Sequence, residues 1–118
     1  SGAADIRPEG APVVEMLSRL MKRYNFDLHI MGHTDSVPIA SAKYPSNWEL
    51  SGARAAAVLR RLTEKGADPK RLVAVGFADS RPIATNDDFE GRAKNRRVEF
   101  LFRAPERGEG AALNPAKP

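Results

Sequence analysis

Apolar residues recur with a helical period early in the chain. Val14, Leu17, Leu20, Met21 and Tyr24 fall on one side, and Glu15, Arg19, Lys22 and Arg23 on the other. This predicts a helix that starts between Pro8 and Pro12 and closes near Asn25. The period then changes to two: Phe26, Leu28 and Ile30 alternate with Asp27, His29 and Met31, a strand that Gly32 ends. Residues 34–45 carry no period and include Pro38 and Pro45, so they read as a loop. Ser46-Asn47-Trp48-Glu49 reads as a capping box, with Ser46 accepting from the Glu49 amide and Glu49 reaching back. It opens a long helix to about Lys65, with Leu50, Ala53, Ala57, Val58 and Leu62 on one side and Gly66 as terminator. Residues 72–77 form a short apolar strand, 79–88 a loop, and 89–95 one or two helical turns. In the last strand, 96–102, Val98, Phe100 and Phe102 face one way and Arg97, Glu99 and Leu101 the other.

The order helix, strand, helix, strand, short helix, strand makes the long helix a crossover, so the strands around Leu28 and Val73 are expected to run parallel. The fold class is α/β (α+β): a two-layer sandwich with helices on one face of a small mixed sheet. A strand before residue 1 would complete a βαβαββ layer, and the start of the chain reads as a fragment lacking it. Residues 1–104 are expected to form one domain. Residues 105–118, rich in Pro, Gly, Ala and charge with a single leucine, read as a disordered tail.

Composition narrows the chemistry. With 118 residues the chain is long enough for one core. The absence of cysteine excludes a disulfide scaffold, a Cys–zinc site and a cysteine nucleophile. No apolar run is long enough to span a bilayer, and the first residues lack a signal-peptide pattern. The net charge of +4 leaves open a polyanionic partner.

Four constellations carry candidate chemistry. His29, His33 and Asp35 share parity near a strand end and could hold a divalent metal, although Gly32 interrupts that parity. Ser36, His33 and Asp35 can be drawn as a hydrolase triad, but neighbours in sequence rarely meet in triad geometry. Arg92, Lys94, Arg96 and Arg97 form a basic run that could meet nucleic-acid phosphates, yet no reading module accompanies it. The strongest is the long helix: Asn47 and Arg54 lie almost two turns apart, about 10 Å along the axis, with Leu50 between them and small residues around Arg54. Asp35 lies on the loop leading to that helix. An Asp–Arg pair across a crevice is either a salt bridge or a clamp for a zwitterion, carboxylate to ammonium and guanidinium to carboxylate.

Several motifs in order complete the picture: Gly32-His33-Thr34-Asp35, Leu50-Ser51-x-x-Arg54-Ala55-x-x-Val58, Gly66-x-x-Pro69-x-x-Leu72, Gly76-Phe77 and Asn95-Arg96-Arg97-Val98-Glu99. Over about residues 2–102 the chain resembles the OmpA-like peptidoglycan-binding domain. The stretch from Tyr44 to Ser51 is most similar to the flagellar-stator (MotB) branch, with type VI secretion anchors (TssL-like) next. The resemblance implies a non-catalytic peptidoglycan binder that needs no cofactor, metal or nucleic acid. Asp35 would take the ammonium of diaminopimelate in the stem peptide, and Arg54 its carboxylate. Asn47 would add a polar contact, Thr34 and Leu50 would line the pocket, and Arg97 would flank it. The extra loop residues 37–44 depart from the family pattern at the pocket's rim. The resemblance further implies a homodimer, in the periplasm, anchored to the inner membrane through an upstream helix.

Overall fold

The computed structural model describes residues 10–105, so the expectations for the first nine residues and for the tail beyond Pro105 lie outside the described residues. Helix α1 (Ala11–Arg23) has a proline in its first turn and Lys22 and Arg23 in its last, where cations meet the negative end of the helix dipole. Strand β1 (Asp27–His33) follows, then helix α2 (Asn47–Glu64), strand β2 (Leu72–Gly76), helix α3 (Phe89–Asn95) and strand β3 (Arg97–Arg103). A single 3-10 turn, Pro69–Arg71, precedes β2.

Among the described residues the sheet has the order β2-β1-β3. β1 and β2 are parallel, as the crossover predicted, with Leu28 opposite Leu72 and Gly32 opposite Gly76. β3 runs antiparallel to β1 on its other side, with Ile30 opposite Phe100 and His33 opposite Arg97. The core joins Val14, Leu17 and Met21 of α1 to Leu28 and Ile30 of β1, and to Ala55, Val58 and Leu62 of α2; Val98 and Phe100 of β3 pack partly against it. Burial of this stripe is what the 3.6 and 2.0 periods encode. No helix among the described residues is long and apolar enough to cross a membrane.

Local chemistry fixes the ends of the elements. α2 closes in a Schellman motif: Ala67 N–H donates to the Leu62 carbonyl and Gly66 N–H to that of Thr63, with Gly66 at φ 103°. The start of α2 differs in detail from a standard capping box. Ser46 Oγ accepts from the Trp48 amide at 3.2 Å, one residue earlier than expected, and its hydroxyl donates to the Glu49 carboxylate. Arg71 ties the α1–β1 turn, donating to the carbonyls of Met21, Tyr24 and Phe26 at 2.7, 2.8 and 3.0 Å.

Strand boundaries shift by one residue: β1 starts at Asp27 rather than Phe26, β2 ends at Gly76 rather than Phe77, and β3 spans Arg97–Arg103 rather than 96–102. β1 does not stop at Gly32 but runs to His33. Gly32 lacks a side chain because α2 crosses it: a Cβ there would strike the Ser51 carbonyl, and one on the paired Gly76 would come within 2.5 Å of the Gly52 amide. The two glycines let the Leu50–Arg54 turn of α2 lie against the C-terminal ends of β1 and β2.

Candidate functional site

That close approach sets the position of the loop after β1. Ser51, fully buried, accepts the Ala78 amide on its hydroxyl at 2.9 Å. Ala78 adopts a left-handed φ of 53°, unusual for a residue with a side chain, and its carbonyl receives the Thr34 amide at 2.8 Å. Thr34 turns its hydroxyl onto the Asp35 carbonyl at 2.8 Å. From the helix side, Asn47 donates its amide to the Val37 carbonyl at 3.0 Å and more distantly to the Asp35 carbonyl at 3.4 Å. From the end of α3, buried Asn95 accepts the Ile83 and Ala84 amides on its side-chain oxygen and donates to the Ala84 carbonyl and to Asn86. Asn86 in turn accepts the Ser36 amide at 3.3 Å. The backbone around Asp35 is therefore pinned from three elements.

The Asp35 carboxylate is engaged on both oxygens. Oδ1 accepts the Val37 amide at 3.1 Å, an Asx-type turn. Oδ2 accepts from Arg96 Nη1 at 2.7 Å, in an ion pair whose side chains are only 11% and 20% exposed. Beside this pair opens a cleft of about 100 Å³, lined by Thr34, Asp35, Asn47, Leu50, Arg54 and Arg96, with Val37, Pro38 and Ile39 on its rim. That volume is well below the ~300–1,000 Å³ of pockets for drug-sized ligands, and suits a charged head group. Its charged lining is one carboxylate and two guanidiniums, and Arg54 also makes a polar or electrostatic interaction within the protein.

Five of the six residues singled out in the sequence meet at this cleft: Thr34, Asp35, Asn47, Leu50 and Arg54. Arg97 does not line it. Its guanidinium donates to Glu99 at 2.7 Å and to the carbonyls of Asn95 and Arg81. The arginine that reaches the cleft is Arg96. It caps α3 at φ −83° and ψ 91°, outside β3, so the alternation along that strand does not govern it. The sequence reading also missed Ser51 and Asn95 as supports, although both stand inside motifs it singled out. The loop residues that looked like an insertion supply the apolar rim.

The rival constellations come apart. His33 is buried and stacks on Phe77 with ring centroids 5.3 Å apart, while Arg81 lies over the Phe77 ring at 4.1 Å. His33 Nε2 stands 3.2 Å from Glu99 Oε1, but neither ring nitrogen makes a well-formed hydrogen bond. Burial, then the nearby Arg97 charge, pushes the His33 pKa down against the opposing pull of Glu99. Glu99 itself is held below the usual carboxylate range, first by its hydrogen bond from Arg97. His33 thus turns toward Glu99 and Asp35 toward Arg96, which leaves no triad with Ser36. Among the described residues no group of three or more His, Asp or Glu side chains gathers to hold a metal. In the basic run, Arg92 donates to the Asn86 carbonyl, and Arg96 and Arg97 are paired as above. Three of its four cations therefore serve the fold.

Comparison with known proteins places these residues in context. A family model described as OmpA family matches residues 1–96. Motility protein B of Bacillus subtilis is 41% identical over 104 residues, which cover 86% of this chain and 40% of that protein. An uncharacterised protein of the same organism, YtxE, is 38% identical over 104 residues, covering 87% and 43%. Among solved structures, the cell wall anchor of the type VI secretion system from Pseudomonas aeruginosa superposes with a TM-score of 0.80 at 40% identity, covering 89% of this chain and 73% of that one. A MotB-like protein from Desulfovibrio vulgaris gives 0.79 at 35% identity, covering 88% and 65%. The chain spans less than half the length of the two Bacillus relatives.

Proposed function

The chain belongs to the OmpA family, and from that premise we propose that it binds peptidoglycan without catalysing a reaction on it, taking the diaminopimelate head of a stem peptide into the cleft between Asp35, Arg54 and Arg96. The observation that carries the reading is the pairing of a carboxylate with two guanidiniums in a cleft of head-group size. Such a set complements a zwitterion: guanidinium takes carboxylate, and carboxylate takes ammonium. Leu50 and Ile39 offer apolar surface to the methylene chain that joins this zwitterionic head to the peptide backbone. Thr34 and Asn47 hold the loop through bonds to its backbone. Nothing in this role needs a nucleophile or a cofactor.

In the full-length protein the domain would anchor an envelope machine to the wall from the periplasm, as a homodimer tethered to the inner membrane by an upstream helix. The flagellar stator is the machine we favour, on the likeness to motility protein B. The comparable likeness to a type VI secretion anchor supports a second reading; the complex that co-purifies with the full-length protein separates them. Solution mass tests the dimer. Wall binding is tested by sedimentation with insoluble peptidoglycan, where the domain should be found in the pellet.

A further inference from the structure

The positive charge of the chain is unevenly placed. Two short segments, residues 15–24 and 60–71, carry eight cations against three anions, whereas the rest of the chain carries eleven against twelve. These segments are the C-terminal parts of α1 and α2 and the 3-10 turn before β2. Each helix leads by a short turn into the strand that follows it, so both helix C-termini gather where the parallel strands β1 and β2 begin. The cleft lies at the other end, where β1 finishes and α2 starts. The 18 residues of α2 separate the two ends by about 27 Å.

Side-chain contacts hold the basic end together. The Lys22 side chain lies beside Gly66, 3.7 Å from where a Cβ would stand, and Lys65 pairs with Glu15 at 2.8 Å. Glu15 is held below the usual carboxylate range first by Lys65, then by Arg19 and Lys22. Two helix C-termini together supply only about one negative charge, which leaves most of the excess unbalanced. Lys22, Arg23, Arg60 and Lys70 are exposed and make no ion pair among the described residues. Aromatic rings border them. The Arg23 guanidinium lies 5.8 Å from the Tyr24 ring centroid, that of Arg71 lies 5.6 Å from Phe26, and Phe26 meets Phe102 at 4.9 Å. Tyr24 and Phe102 are each more than half exposed.

We propose that this end of the domain is a docking surface for an anionic phospholipid bilayer. Lipid phosphates meet Lys22, Arg23, Arg60 and Lys70, while Tyr24 and Phe102 sit at the headgroup level, where aromatic rings are favoured. Docked this way, the domain holds its cleft away from the membrane. The choice of a bilayer over nucleic acid rests on the wall-anchoring reading above; the charge asymmetry does not.

Sedimentation of the whole chain with lipid vesicles tests this. Wild-type protein should pellet with phosphatidylglycerol–phosphatidylcholine vesicles, stay in solution with pure phosphatidylcholine, and be released as salt rises. Lys22→Gln/Lys70→Gln should bind the anionic vesicles about tenfold more weakly. Lys43→Gln/Lys94→Gln removes the same charge elsewhere and should stay within about twofold of wild type. Trp48, the single tryptophan, stands at the cleft end, so its emission should not shift on binding. Tyr24→Trp in a Trp48→Phe background should shift to the blue. The proposal is overturned if neutral and anionic vesicles bind alike, if the two double variants lose equally, or if Trp48 emission shifts and that of Tyr24→Trp does not. Tighter binding to single-stranded DNA than to anionic vesicles would overturn it too. Binding to insoluble peptidoglycan without vesicle binding would sink this inference alone; vesicle binding without peptidoglycan binding would sink the wall-binding reading and leave the docking surface standing.

Discussion

Arg96 donates to Asp35 across 2.7 Å, joining the loop after β1 to the turn between α3 and β3. Arg54, the partner suggested by the sequence, stands in the same cleft wall. Because the Asp35–Arg96 pair is mostly shielded, removing one member strands the other. Arg96→Ala should lower unfolding free energy by about 1.5–3 kcal/mol, the range for hydrogen bonds to charged groups. Urea denaturation at neutral pH measures it, and a loss below a few tenths would show that the pair is solvated.

The glycines under α2 make opposite claims about one chemical change. A methyl group on Gly32 meets the Ser51 backbone, whereas on Gly52 it meets nothing within 4 Å. Gly32→Ala should therefore destabilise by about 1–3 kcal/mol or more, as overpacking does. Gly52→Ala, in the interior of α2, should stabilise by about 0.5–1 kcal/mol through helix propensity. Paired melting curves would decide, and equal shifts would refute the close crossing.

His33 supplies a pH dependence. Its pKa in the folded protein lies below the ordinary histidine value of 6.5, chiefly because it is buried, so the folded state binds fewer protons than the unfolded one. The associated stability is complete above about pH 6.5 and is lost as pH falls toward the lowered folded value, by at most about 1.4 kcal/mol per pH unit. The groups facing it are Glu99 and Arg97 on β3, with Phe77 and Arg81 after β2. Urea midpoints between pH 8 and pH 5 should drop for the wild type and flatten in His33→Asn. A parallel decline in both proteins would assign the effect to other groups.

Much of the fold was legible because its signals are local. The α1 and α2 stripes, the Phe89–Asn95 helix and the Gly66 terminator all depend on residues within a few positions of one another. Gly32 misled because a glycine that ends a strand and one that admits a crossing helix look alike in sequence; only the Ser51 backbone tells them apart. The cleft was legible on its helix side, where Asn47, Leu50 and Arg54 follow the helical period. On its β3 side it was not. Arg96 and Arg97 are adjacent and chemically identical, and their roles are divided by where α3 ends and β3 begins. Arg97 goes to Glu99 and Arg96 to Asp35, a pairing across 61 positions that no local pattern encodes.

The central claim is that the Asp35–Arg54–Arg96 cleft holds the wall. Its most direct test is co-sedimentation with insoluble peptidoglycan for the wild-type domain, Asp35→Ala and Arg54→Ala, each checked for folding by circular dichroism. Losing one member of a largely buried charge-assisted contact costs ~2–5 kcal/mol. Wild-type protein should therefore pellet, while Arg54→Ala binds at least about tenfold more weakly and Asp35→Ala, which also frees Arg96, is weakened as well. If both folded variants pellet as fully as the wild type, the binding site lies elsewhere and the account is wrong.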